Sequence, residues 1–266
     1  MTTLAPRALS ASRRASALYC SVYGSGIPLL LVHGLGASGA VFQPLLPALA
    51  ARYQVIVPDL RGHRHSRCLP GPDSVPRLAA DLEDLLDLLG IRSCTMLGYA
   101  TGGAVVQQVA HEYPSRVGGI ALVCSYARSA ATLREQIECR LRPELFRLLG
   151  TRGMGALAAR SAPGCDSAFV RDVIAANHGQ RLAPLARALL SFDSRAWLPK
   201  LACPTLIVAG GRDTTVPAHH ARELARLIPN ARLHTLPDAG HWLVKTHADQ
   251  LLGVLLPWLG EQEVAA

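Results

Sequence analysis

Charge is what this sequence has least of. Only 17% of its 266 residues are Asp, Glu, Lys or Arg, too few for a disordered polyelectrolyte or a coiled coil. Lysine is scarce beside arginine, and no basic run with interleaved aromatics occurs. A nucleic-acid partner is therefore not expected despite a net charge of +8. No stretch is long and apolar enough to span a membrane, so no membrane partner is expected either. Met1–Ser16 is basic and free of acidic residues but lacks the continuous apolar segment of a secretory signal. It reads as a lead-in to the first strand, with a transit peptide as the alternative, and the expected location is cytoplasmic. The seven cysteines (Cys20, Cys68, Cys94, Cys124, Cys139, Cys165, Cys203) are odd in number and never in C-x-x-C spacing. Neither a disulfide framework nor a zinc site is indicated, and those in apolar runs read as buried small hydrophobes. Gly98 to Gly103 has neither the P-loop lysine nor the dinucleotide glycine spacing, so no cofactor and no metal are expected.

What is present is hydrophobicity: half the chain is apolar, enough for one sizeable α/β domain. Leu18–Tyr23 reads as a strand and Gly24-Ser25-Gly26 as a hairpin turn into Ile27–Val32, an apolar run of the kind buried on both sheet faces. A helix is expected from Val41 to Ala51 and a strand at Gln54–Val57. Pro76–Leu89 is amphipathic, with Leu78, Leu82, Leu85, Leu86 and Leu89 on one face, Asp81, Asp84 and Asp87 on the other, and Gly90 as its stop. Strands follow at Ser93–Leu97 and Gly119–Cys124, with a helix from Ala104 to Tyr113 between them. From Ser125 to Lys200 the strand signal vanishes and helices are expected at 133–149, 155–160, 167–177 and 182–192. Strands return at Pro204–Ala209 and Ala231–Leu236, with helices at Ala218–Leu227 and Ala248–Leu259. This alternation implies a doubly wound, mostly parallel sheet carrying an inserted helical cap. The expected division is a core of residues 1–124 and 201–266 and a cap of residues 125–200.

One hydroxyl is also missing. Leu97-Gly98-Tyr99-Ala100-Thr101-Gly102-Gly103 sits between a strand and a helix, and Gly98-x-Ala100-x-Gly102 is the nucleophile-elbow spacing G-x-S-x-G with Ala in place of Ser. A strand that reverses straight into a helix leaves no room for Cβ atoms beside the tip, hence the glycines. The tip residue is expected at positive φ, a strain of about 1–3 kcal/mol that persists where function uses it. Gly would relieve that strain, and Asn or Asp would tolerate it better than Ala. Ala100 is what a serine becomes on losing its oxygen.

In open α/β sheets, chemistry gathers at the carboxyl ends of strands. Asp213 follows one strand, in Gly211-Arg212-Asp213-Thr214-Thr215-Val216-Pro217, and His241 follows the next, in Asp238-Ala239-Gly240-His241-Trp242. The order nucleophile, acid, base is one of the chain orders of the catalytic triad. His241 would take the nucleophile's proton and Asp213 would hold the imidazole tautomer. An oxyanion hole needs two backbone N–H groups aimed at developing charge. Thr101, after the tip, supplies one; Leu35, in His33-Gly34-Leu35-Gly36, supplies the other, with its glycines allowing close approach. Gly34, Tyr99 and Trp242 are the expected substrate contacts. Neither Thr101 nor Tyr99 is placed to replace the missing nucleophile.

Across nearly its whole length the chain resembles an α/β-hydrolase fold protein. The pieces that carry the likeness are His33-Gly34-Leu35-Gly36, Asp59-Leu60-Arg61-Gly62-His63, the elbow, the Asp213 loop and Gly240-His241-Trp242. The helical insertion is similar to the cap of bacterial esterases, enol-lactonases and cofactor-free haloperoxidase-like hydrolases. The resemblance implies Ala100 at the nucleophile position, Asp213 as acid, His241 as base, and Leu35 with Thr101 as oxyanion donors. The departures are Ala100 and Arg64, which falls where a glycine is common; only the first bears on activity.

Two functions are consistent with these residues. One is a serine hydrolase of small carboxylic esters or lactones, present as a Ser-to-Ala form at position 100. The other is a non-hydrolytic relative that binds a ligand, or uses His241 and the oxyanion hole for acid–base or cyclisation chemistry. Segment 125–200 carries +6 of the chain's net +8. That charge suits either an anionic substrate, such as a carboxylate-bearing lactone, or a solvated arginine-rich surface. Leu133, Ile137, Leu141, Leu145, Phe146 and Leu149 recur at helical spacing and are expected to pack against the core.

Overall fold

A computed structural model describes residues 7–9, 18–66, 73–160, 162 and 164–265. The expected lead-in at Met1–Ser16 and Cys68 lie outside these residues, apart from β1 (Arg7–Leu9). The apolar runs become one eight-stranded sheet. In chain order the elements are β1, β2 (Cys20–Tyr23), β3 (Ile27–Val32), α1 (Leu46–Leu49), β4 (Tyr53–Pro58), α2 (Val75–Leu88), β5 (Cys94–Tyr99), α3 (Thr101–Glu112) and β6 (Val117–Val123). After β6 come the helices α4 (Leu133–Arg160), α5 (Ser167–Ala175) and α6 (Gly179–Ala188). The chain then closes with β7 (Thr205–Gly210), α7 (Ala218–Leu227), β8 (Arg232–Leu236), α8 (Leu243–Thr246) and α9 (Ala248–Ala265).

The strand order is β1-β2-β4-β3-β5-β6-β7-β8, parallel from β4 to β8. The first two strands join antiparallel. The expected Gly24–Gly26 hairpin does not form: β2 pairs with β4, and β3 lies on the far side of β4. The turn is real, with Gly24 at φ 66 and Gly26 at φ 113, but it carries the chain across a strand instead of back along it.

β3 and β5 are almost wholly apolar because both of their faces are covered. Leu30, Val32 and Met96 pack under α2, α3 and α7, while Leu29, Leu31 and Leu97 pack under α1, α8 and α9. α2 starts where the Ser74 side chain accepts the Arg77 amide at 3.2 Å and ends at Gly90, φ 68, a start and stop of the ordinary kind. Its expected polar face needs one correction. Asp81 is buried and clamps the equally buried Arg61 through Nε at 2.7 Å and a second nitrogen at 2.8 Å. A buried guanidinium requires a paired carboxylate, and this requirement overrides the helical polarity pattern.

The expected helix Val41–Ala51 is reduced to a 3₁₀ turn at Gly39–Phe42 and the single turn of α1. Pro44 and Pro47 fit only the first turn of a helix. In the insertion, the expected break after residue 149 falls at Gly150, which is non-helical at φ 60 and ψ −174 inside α4. Of the six apolar residues expected to face the core there, only Phe146 is buried; Leu133 is 72% exposed, and Ile137, Leu141 and Leu149 are exposed too. α4 turns Cys139, Pro143 and Phe146 inward instead. Cys20, Cys94, Cys124 and Cys139 are buried, as small hydrophobes would be, whereas Cys165 and Cys203 are partly exposed. Among the described residues no helix is long and apolar enough to cross a membrane.

Candidate active site

The tip of the turn between β5 and α3 is Ala100, at φ 52 and ψ −118, in the strained left-handed region that the elbow spacing calls for. Its N–H donates to Val123 O at 2.9 Å and its carbonyl accepts from Gly103 N at 2.9 Å, so the tip is held from both ends. The flanking glycines are sterically required. A Cβ on Gly98 would lie 2.5 Å from Gly103 Cα, and one on Gly102 would run into the Val32 carbonyl. The loop after β3 also comes close: a Cβ on Gly34 would be 3.0 Å from the Ala100 Cβ and 3.7 Å from Thr101 N.

Asp213 and His241, supplied by the turns after β7 and β8, meet at this tip. His241 Nδ1 is 2.8 Å from Asp213 Oδ2. The other oxygen, Oδ1, accepts the Thr215 and Val216 amides, each at 2.8 Å. Burial alone would raise the Asp213 carboxyl, but the His241 charge, its hydrogen bond and the two amides outweigh burial and hold it below its ordinary value. A carboxylate only accepts, so the network puts a proton on Nδ1 of His241 and leaves Nε2 outside the pair.

Tyr99 braces the histidine. Its hydroxyl donates to the His241 carbonyl at 2.9 Å and its ring centroid lies 5.3 Å from the imidazole. That hydroxyl is therefore occupied, and burial pushes its pKa well up. Thr101 turns its hydroxyl to Tyr126, 3.2 Å away. Neither supplies the oxygen that Ala100 lacks.

A cavity of about 170 Å³ lies over the tip, with Gly34, Leu35, Ala100, Thr101, Tyr99, His241 and Trp242 among its lining residues. Every site residue expected from the sequence therefore borders it except Asp213, which sits behind His241. The Leu35 amide has no hydrogen-bond partner among the described residues. Thr101 opens α3, so its N–H has no acceptor inside the helix. Helix α4 adds Arg142, Phe146 and Met154 to the cavity wall, and α5 adds Ile174.

The residues that hold the Leu35 loop in place were not predicted from the sequence. His63 Nε2 accepts the Gly36 amide at 3.0 Å, and His33 Nε2 accepts the Leu60 amide at 2.9 Å. With Nε2 accepting, each ring carries its proton on Nδ1, which donates to Arg61 O at 3.0 Å from His63 and to Gly34 O at 2.9 Å from His33. From the insertion, buried Asn177 donates to Gly36 O at 2.9 Å and Ala37 O at 3.1 Å. Its carbonyl accepts Arg64 N at 2.9 Å, which fastens the positive-φ turn at Arg64, φ 34. His33 and His63 were legible as parts of motifs, but nothing local in the sequence marks Asn177.

Cys124 was also missed as a neighbour of the pair. Its Sγ, an Asp213 oxygen and a His241 nitrogen lie within 4.8 Å of one another, which is compact enough for a metal ion. Burial, followed by the Asp213 charge, pushes the Cys124 thiol well above its ordinary pKa. Metals bind the thiolate, so the trio favours the Asp–His hydrogen bond over an ion.

The sheet order, the strained tip between β5 and α3, and the Asp–His pair after β7 and β8 define an α/β hydrolase. The chain belongs to the alpha/beta hydrolase fold family, matched over residues 27–143 and 171–248. It is 33% identical to the magnesium-chelatase 30 kDa subunit of Rhodobacter capsulatus, over 88% of this chain and 87% of that protein. It is 28% identical to the pimeloyl-acyl-carrier-protein methyl ester esterase of Chromobacterium violaceum, over 92% of this chain and 99% of that one. Among solved structures, the enol-lactonase of Burkholderia xenovorans LB400 is similar at a TM-score of 0.85 and 25% identity, covering 91% of this chain and 96% of that one.

Proposed function

We propose that this chain is a hydrolase of small carboxylic esters or lactones in which the nucleophile oxygen is absent, a Ser-to-Ala form at position 100. The observation that carries the reading is the strained Ala100, φ 52, bordering one cavity with His241. Strain of about 1–3 kcal/mol at an alanine serves no packing purpose; it fits a position shaped for a side chain that attacks. With Ser there, His241 Nε2 is the base that takes the hydroxyl proton as oxygen bonds to the ester carbonyl carbon. Asp213 stabilises the imidazolium, and the Leu35 and Thr101 amides receive the oxyanion. His241 then returns the proton to the leaving alcohol, and water releases the acid by the same route. Gly34, Tyr99 and Trp242 shape the substrate cavity, and segment 125–200 is the cap that closes it. Among the described residues, Arg142 is the one arginine of that cap on the cavity wall, and no ion pair neutralises it. This supports an anionic ester or lactone as substrate.

A second reading rests on the similarity to the magnesium-chelatase subunit, whose name is not that of a hydrolase. In it, Ala100 is the working residue, the cavity holds a ligand, and His241 with the two amides performs acid–base or cyclisation chemistry. Ala100→Ser separates the two readings. Hydrolysis of short and medium acyl esters and labelling by a serine-directed probe, both absent from the Ala form, support the hydrolase. If the Ser form neither labels nor turns over, that reading fails and the second stands.

A further inference from the structure

We propose that Glu135, His219 and His220 form a binding site for a divalent transition-metal ion, zinc by ligand type, that clips the start of the cap to the core. The three residues come from different parts of the chain. Glu135 is in the first turn of α4, and the two histidines are in the first turn of α7. Glu135 Oε2 is already used, accepting Ala131 N at 2.6 Å and Thr132 N at 2.9 Å. Oε1 faces both imidazoles, 3.0 Å from His219 Nε2 and 3.4 Å from His220 Nε2. One ligand atom from each of the three lies within 4.8 Å of the others.

The geometry favours a shared ion over an ordinary ion pair. His219 Nε2 is buried and makes no hydrogen bond, although Glu135 Oε1 is 3.0 Å away. The oxygen lies off the direction in which the ring nitrogen would donate. Ligand atoms on one coordination edge behave this way, because their lone pairs converge on a third centre. A tetrahedral zinc site with bonds of about 2.0–2.1 Å has edges of about 3.3–3.4 Å, close to the two distances seen.

His219 is the more exposed of the pair, its side chain 35% accessible against 3% for His220. A water would be the fourth ligand of a three-residue zinc site. The ion would act by position. The His220 ring lies 6.0 Å from Tyr126, which lines the cavity and bonds Thr101. The metal would thus fix the cap one residue behind the cavity wall.

The test is zinc titration of the full chain by calorimetry, with Co²⁺ absorption as a spectroscopic reporter. The expected result is one equivalent of zinc bound, a raised Tm, and tetrahedral cobalt bands without thiolate charge transfer. Glu135→Gln keeps an oxygen for the capping amides, and His219→Ala removes a partly exposed ring, so both variants should keep the wild-type circular dichroism. Each should lower zinc affinity by more than about 100-fold, beyond the roughly 10–100-fold that loss of an outer partner costs. The proposal is overturned if no stoichiometric zinc binds or if both variants bind as tightly as the parent. It is equally overturned if cobalt shows a thiolate band that Cys124→Ser abolishes, which would place the ion beside Asp213.

Discussion

His63 Nε2 accepts the Gly36 amide at 3.0 Å, so the loop carrying Leu35 hangs on a fully buried neutral imidazole. Burial, and then the neighbouring His33, push the His63 pKa down to about 3. In the unfolded chain it returns to about 6.5. Between those values the unfolded state binds the extra proton. The stabilisation is therefore complete above about pH 6.5 and is lost as pH falls towards 3, at about 1.4 kcal/mol per pH unit. His33 is lowered by the same burial and steepens the slope. Urea midpoints measured from neutral pH down to about pH 4.5 should fall steadily, and a flat profile would contradict the buried neutral pair.

Replacing Ala100 by Gly should stabilise the protein. Left-handed backbone at φ 52 costs an L-residue about 1–3 kcal/mol, and the extra freedom Gly brings to the unfolded chain offsets about 0.5–1 kcal/mol of the relief. A net gain of about 1 kcal/mol is expected by thermal or chemical unfolding. A loss would mean that the tip is not strained.

In the Ala100→Ser background, Asp213→Asn should cost about 10⁴-fold in kcat, because the amide no longer imposes the Nδ1–H tautomer on His241. Steady-state ester kinetics measure this directly. Equal rates in the two forms would mean that the 2.8 Å contact is only structural.

Arg142→Gln in the same background should raise KM for an ester bearing a carboxylate by about tenfold and leave a neutral ester unchanged. An exposed charge contact is worth about 1 kcal/mol, and one facing a cavity somewhat more. Equal effects on both esters would remove the case for an anionic substrate.

Asn177→Ala should destabilise by about 2–4 kcal/mol, since it leaves the Gly36 and Ala37 carbonyls and the Arg64 amide without the partner they now have. If the seating of the Leu35 loop matters to turnover, kcat of the Ser form should fall more than KM rises. Unfolding curves and kinetics on the same variant check both.

The elbow was legible because its constraint is local. Gly98 and Gly102 are required by atoms a few residues away or on the adjoining strand, so spacing alone reports the turn and the positive φ at Ala100. Asp213 and His241 were legible by a different route, as polar residues following buried strands. Pairing was less legible. The Gly24–Gly26 turn looked like a hairpin because the sequence shows that a chain turns but not which strand it rejoins. Asp81 looked solvated because helical periodicity counts polarity and has no knowledge of Arg61.

The doubly wound frame, the strained tip and the strand ends that bear Asp213 and His241 are written in the residue order. All of these follow from short-range sterics and hydrophobic periodicity. Long-range packing settled that Asn177 and His63 hold the Leu35 loop, that Tyr99 braces His241, and that, among the described arginines of residues 125–200, Arg142 is the one lining the cavity. It also brought Glu135 to His219 and His220. These are contacts between segments far apart in the chain, set by how helices pack over the sheet, and no local spacing encodes them.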